Sequence, residues 1–213
     1  MKQATLNKLL HDTLRESAKE HNWNYSRGFV FKATDLLLFS LIVVAQVKQR
    51  HVSYSLRYKF LAFDDLFWKI VKLEENLKQP LSFRAFGAWT APMKTISDAT
   101  LSVADWDPMN LGSRVNEILV RAESDAANVT KEISGLDDNL RLVEELYERL
   151  KTNYPAAVTN IWVERLLTSI LKHEYEQSEA IIRDRLNSHD SGGFQVGHKS
   201  FYDLAHEYIR ALS

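Results

Sequence analysis

The chain has 213 residues, of which 45% are hydrophobic and 26% charged, the balance of a globular protein able to bury a sizeable core and not that of a disordered one. It has no cysteine, which excludes a disulfide framework and a thiolate metal site. The net charge of −1 hides an asymmetry: residues 1–106 hold 15 Lys and Arg against 10 Asp and Glu, a balance of +5, and residues 107–213 hold 12 against 18, a balance of −6.

Leu6, Leu9, Leu10, Leu14 and Ala18 recur at three- and four-residue spacing and predict an amphipathic helix over Thr5–His21 that buries this stripe on a sheet. Charge mixed into the apolar positions of the first turns argues against a secretory leader. Asn22-Trp23-Asn24 and Gly28 stop the helix. Phe29–Lys32 then predicts a first strand, Leu36–Lys48 a second and Val52–Phe63 a third, joined by connections short enough for an antiparallel meander. Leu36–Ala45 is apolar almost throughout, as in a strand buried on both faces, and is half the length a membrane helix needs, roughly twenty residues. Val52–Phe60 alternates, as in a strand wetted on one face. Asp64 reads as the N-cap of a helix through Leu66, Phe67, Ile70, Val71 and Leu77, interrupted at Pro80. Ser82–Thr90 reads as a fourth strand and Thr95–Val103 as a fifth.

From Asp107 onward the period changes from two to 3.6, and no further strand is expected. Asp107-Pro108 joins a capping carboxylate to a proline at the first helical position, followed by the stripe Leu111, Val115, Ile118, Leu119, Ala122, Ala126, Val129 and Ile133, with Gly135 as the stop. A second helix is expected over Asp138–Lys151, ending before Pro155. Residues 156–188 are helical by pattern, with a bend near His173–Tyr175, because one straight helix of that length would reach about 50 Å. After the loop Asp190-Ser191-Gly192-Gly193, the last helix opens at Ser200 with Asp203 three residues on, a capping-box pair. It should bury Phe201, Leu204, Ala205, Tyr208 and Leu212. The fold class is therefore α+β: an N-terminal helix on a four- to five-stranded antiparallel sheet, followed by an all-helical C-terminal half. Residues 1–106 form the sheet region and 107–213 the helical region, as two domains or one integrated domain.

Few residue patterns point to chemistry. Gly192–Ser200 looks superficially like a P-loop, but His198 separates Gly197 from Lys199 and no buried strand feeds the loop, so it reads as a linker and a helix cap. His173-Glu174 and His206-Glu207 lack the second histidine of a zinc helix, and Asp105-Trp106-Asp107 lacks the glycine of a calcium loop. No metal or cofactor is expected. Arg183-Asp184-Arg185-Leu186-Asn187-Ser188-His189 resembles the Arg, polar residue, spacer, His motif of the HEPN family of helical ribonucleases. The resemblance implies Arg183 as a phosphate clamp and His189 as the acid/base group. Arg15–His21 carries the same spacing, and a solvated helix end, where Arg and His complement the dipole, explains the residues structurally.

The remaining signal is a surface. If Tyr54, Leu56, Tyr58 and Phe60 face the core, then Arg57 and Lys59 share the other face, and Lys32, Lys48 and Arg84 join them from neighbouring strands. Such a face could read phosphates or could simply solubilise and protect the sheet. Trp68, Trp89 and Trp106 suit the lining of a small-ligand crevice and suit a core equally well. The leading expectation is a soluble cytoplasmic interaction or regulatory protein, a non-catalytic adaptor or immunity-type binder with another protein as partner and no membrane. The alternative is a nucleic-acid-acting protein, either a HEPN-like ribonuclease through Arg183 and His189 or a binder using the basic sheet face.

Overall fold

A computed structural model describes residues 1–87, 89–153 and 161–212, of which 151–153 by backbone only, and every statement below concerns these residues. Along the chain lie α1 (Gln3–Glu20), β1 (Asn24–Ser26), β2 (Phe29–Ala33), β3 (Leu37–Gln46), β4 (His51–Phe60) and α2 (Leu61–Ile70). A 3-10 turn (Glu74–Lys78), α3 (Leu81–Phe86), β5 (Lys94–Ser102) and α4 (Pro108–Glu132) follow. The chain continues with α5 (Leu136–Asn153), α6 (Ile161–Leu171), α7 (Tyr175–Asn187), β6 (Gln195–Val196), β7 (Lys199–Ser200) and α8 (Phe201–Arg210). The fold class is α+β, with an N-terminal helix, a five-stranded antiparallel sheet and then helices. Among the described residues, no helix is long and apolar enough to cross a membrane. The chain groups into two compact units, Met1–Lys59 with Pro92–Glu132, and Phe60–Ala91 with Ile133–Ser213.

In the first unit the sheet runs in chain order, β1-β2-β3-β4-β5. Its centre is β3, where Leu37, Leu38, Phe39, Leu41, Val43 and Ala45 are all buried. Helix α1 buries Leu6, Leu10, Leu14 and Ala18, and packs on α4 and on the sheet. Helix α4 in turn buries Leu111, Val115, Ile118, Leu119 and Ala122. Full burial of each such leucine or isoleucine is worth about 1.5–3 kcal/mol over exposure, so these two stripes hold the helices on the sheet. Lys2 provides no side-chain cap for α1; instead the Gln3 amide donates to the carbonyl of Ala45 at 2.8 Å and accepts from the N–H of Val47 at 3.1 Å. Asp107 caps α4 as its position before Pro108 implies, accepting the N–H of Asn110 at 2.9 Å.

Strand β1 has no counterpart among the expected strands, because Asn24-Tyr25-Ser26 is short and polar. It exists through a two-residue hairpin turn, Arg27-Gly28, in which both residues have positive φ (46° and 94°) and Ser26 pairs with Phe29.

The second unit departs from the expected elements at several points, the first being that the helix expected through Leu77 ends at Ile70, with Glu74–Lys78 a separate 3-10 turn. Strand β4 runs directly into α2, with Phe60 at the N-cap, so Asp64 lies inside the first turn and caps nothing. Of the residues expected as a strand over Ser82–Thr90, Ser82–Phe86 lie in α3, which starts after Pro80 and stops at Gly87; Leu81, Phe83 and Phe86 do not alternate as a strand requires. Helices α5, α6, α7 and α8 pack each on the next, and α2 packs on α6 and α8. The bend expected near His173 is the break between α6 and α7, where His173 adopts φ 59° and the Ser169 and Ser178 hydroxyls meet at 2.7 Å. Pro155 and residues 156–160, assigned a helix stop and a helix by pattern, lie outside the described residues. Strands β6 and β7 form a small antiparallel hairpin where no strand was expected. Helix α8 opens on the full capping box of Ser200 and Asp203. It buries Phe201, Tyr202, Leu204, Ala205 and Ile209, while Tyr208 is half-buried and Leu212 exposed.

Candidate functional site

The five basic residues considered for a sheet face do not share one. Lys32 pairs in register with Phe39, on the face of β3 that carries Leu41, and its Nζ donates to Glu123 of α4 at 2.6 Å. Arg57 lies on the opposite face, in a shallow groove of about 400 Å³ lined by Ile42, Val44, Ser53, Ser55, Asp98 and others. Its Nε donates to Ser55 Oγ at 3.3 Å. Lys48 is exposed in the turn after β3, whereas Lys59 is only 2% exposed, although the alternation of β4 points it toward water. Arg84 sits on α3 in the second unit. Arg57 is thus the one of the five that lines the groove, opposite a carboxylate-bearing strand.

Arg183 is exposed on α7, and His189 is exposed one residue past the helix C-cap, at φ 56°. Between them, Arg185 pairs with Asp184 and lies over the Trp162 ring at 4.2 Å, so the middle of the HEPN-like motif is engaged in packing. Of the three tryptophans, Trp106 belongs to the first unit, where its Nε1 donates to the Val47 carbonyl at 3.4 Å. Trp68 is buried and Trp89 is 42% exposed, and these two are connected.

That connection builds the most specific surface of the second unit. Asp64 projects from α2 and is fully buried. Its Oδ1 accepts the backbone N–H of Ala91 at 2.8 Å, and its Oδ2 lies 3.8 Å from Arg84. The Arg84 guanidinium also meets Asp65 at 2.7 Å, donates to the Leu61 carbonyl at 3.4 Å and lies 4.8 Å over the Trp68 ring. One arginine therefore clamps α3 to α2 through charge, hydrogen bonding and cation–π contact. Trp68 Nε1 donates to the Trp89 carbonyl. The segment is thus tied down at the Trp89 carbonyl and again two residues later at Ala91.

Gly87 is required at the exit of α3, because a Cβ there would lie 2.5 Å from the Phe83 carbonyl oxygen. Trp89 itself holds φ 64°, a left-handed conformation uncommon for a bulky residue. Its indole packs edge-on against Phe194 at 4.2 Å, and Phe194 meets Phe67 at 5.0 Å. The outcome is an aromatic ridge of Phe67, Phe194 and Trp89, whose outer member Trp89 is nearly half exposed; Phe86, the last residue of α3, is 55% exposed, and Val196, two residues beyond Phe194, is exposed as well. The sequence signals Trp89 only as one tryptophan among five, and nothing in the local pattern marks Phe86.

Fold and surface together define an α+β protein that displays Phe86 at the end of α3 and Trp89 on the anchored segment after it. No family model matches the chain, and neither a curated protein nor a solved structure matches it.

Proposed function

We propose that this chain is a non-catalytic interaction or regulatory protein, a soluble cytoplasmic adaptor or immunity-type binder, whose partner is another protein seated on Phe86 and Trp89. The observation that carries the reading is Trp89: a large apolar side chain in a left-handed conformation, kept at the surface by bonds from two buried side chains, Asp64 and Trp68. One face of Trp89 packs on Phe194, but its exposed part is held out in a strained conformation that folding alone does not reward, and tryptophan is a residue on which protein interfaces concentrate their energy. Because the loop is already anchored, a partner would bury the ridge without the entropic cost of ordering it.

The test is to capture partners with the wild-type chain and with the Phe86→Ala/Trp89→Ala double variant, then measure binding of the identified protein by titration calorimetry. The expected result is one protein partner bound stoichiometrically, with affinity reduced at least about 30-fold in the double variant, the equivalent of a 2 kcal/mol hot spot. Equal affinity in both would overturn the assignment of the ridge. A nucleic acid as the retained component would replace the reading with that of a nucleic-acid-acting protein.

A further inference from the structure

The first unit carries a basic cup that no sequence motif announces. Helix α1 presents Lys8, His11, Asp12 and Arg15 at spacings of three and four, so all four lie on one face. The β1–β2 hairpin brings Tyr25, Arg27 and Gly28 against that face, leaving between them an open, shallow cup of about 450 Å³. The parts are fitted to one another. The Tyr25 hydroxyl lies 3.3 Å from His11 Nδ1, and the Arg15 guanidinium lies 5.2 Å over the Tyr25 ring and 3.5 Å from Asp12. Gly28 has φ 94°, and a Cβ added there would strike Cε1 of His11, so the turn can approach the histidine only as glycine.

We infer that this cup binds the phosphate monoester of a small molecule. Lys8, Arg15 and Arg27 against Asp12 leave an excess of two positive charges among its lining residues, before any charge on His11. A monoester carries about −1.5 to −2 near neutral pH and so matches that excess, whereas a carboxylate or a phosphodiester, with one charge, leaves it half compensated. Guanidinium groups supply the fork geometry that phosphate oxygens accept. The contact of the Tyr25 hydroxyl with Nδ1 fixes the orientation of the His11 ring, and in the tautomer in which Tyr25 donates, Nε2 carries the N–H that a further phosphate oxygen would accept. The cup's volume falls within the range of small-ligand sites, about 300–1,000 Å³, and its open mouth would leave the rest of the ligand in solvent. A nucleic-acid backbone would need a track of cations along the surface; along the hairpin Lys32 is held by Glu123, and along α1 Lys19 alone follows Arg15 at helical spacing, which is short of a track. This inference is independent of the protein-binding reading, which concerns residues of the other unit.

The experiment is calorimetric and NMR titration of the full chain with adenosine 5′-monophosphate, phenyl phosphate and, as the singly charged comparison, dimethyl phosphate. Both monoesters should bind saturably, and dimethyl phosphate at least about tenfold more weakly. Arg15→Ala and Arg27→Asn should each weaken monoester binding about 10- to 100-fold, the loss of one charge-assisted contact. Asparagine is chosen at position 27 because it tolerates the positive φ of the turn, so that variant keeps the fold even if loss of the Arg15–Tyr25 contact perturbs it. Lys48→Ala, exposed and outside the cup, should leave binding unchanged. Absence of saturable monoester binding, equal affinity for dimethyl phosphate, or undiminished binding by Arg27→Asn would overturn the inference. So would tighter binding of a single-stranded oligonucleotide without terminal phosphate, lost in the same two variants.

Discussion

The carboxylate of Asp64 accepts the backbone N–H of Ala91 across 27 positions of sequence, at 2.8 Å and without exposure to water. Through this bond a helix of the second unit determines the path of the segment that carries Trp89. Removing the carboxylate leaves the Ala91 N–H without its acceptor and takes one of two carboxylates from the largely buried Arg84, which keeps Asp65. Asp64→Ala should therefore lower stability by about 2–3 kcal/mol, mostly the cost of the unsatisfied buried N–H, a sizeable part of a total of roughly 5–15. Asp64→Asn, which keeps an acceptor oxygen for Ala91 but loses the charge facing Arg84, should cost less. Urea unfolding of the three proteins checks the order, and tryptophan fluorescence should report Trp89 released from Phe194 in the alanine variant. Equal stability of all three would show that the bond does not hold the loop.

Glu123 makes the stability of the first unit depend on pH. Partial burial opposes its ionisation, but hydrogen bonds from Lys32 and from Trp23 Nε1 outweigh burial and hold its carboxyl below the usual glutamate value. A depressed pKa in the folded state means that the ionised group stabilises the fold above the unfolded value, near 4.3, and that this stabilisation disappears as pH falls through the lower folded value. Thermal melts should show Glu123→Gln less stable than wild type at pH 7, with the gap closing as pH falls below about 4. A gap that persists or widens on acidification would contradict the linkage.

Arg183 and His189 allow a direct decision between binder and ribonuclease. Both are exposed at the end of α7, so Arg183→Ala and His189→Ala should change stability by no more than about 0.5 kcal/mol. Purified wild-type chain incubated with RNA is expected to leave it as intact as a mock preparation does. Were His189 an acid/base group, its loss would cost about 10²–10⁴ in rate. Cleavage by the wild type that both variants abolish would install the HEPN-like reading in place of the interaction protein.

Local pattern alone was sufficient for several elements of this protein. The leucine stripes of α1 and α4, the apolar run of β3, the Asp107-Pro108 start and the Ser200–Asp203 box are each written within a few turns or residues, and all appear where their spacing places them. Period and capping report how a segment meets a generic apolar neighbour. They do not report which neighbour it meets. Strand β1 exists only because the Arg27-Gly28 turn folds three polar residues onto β2. Lys59 is buried although its position in β4 alternates toward water, and Asp64, a good cap by local sequence, became a buried anchor for a residue far along the chain. Both candidate surfaces belong to this second kind. The ridge needs Asp64, Trp68, Arg84 and Phe194 around Trp89, and the cup needs one face of α1 opposite a hairpin tip. Side chains distant in sequence converge only when the chain has packed, because the energy that selects their positions comes from burial and charge pairing between segments and not from the backbone preferences within one.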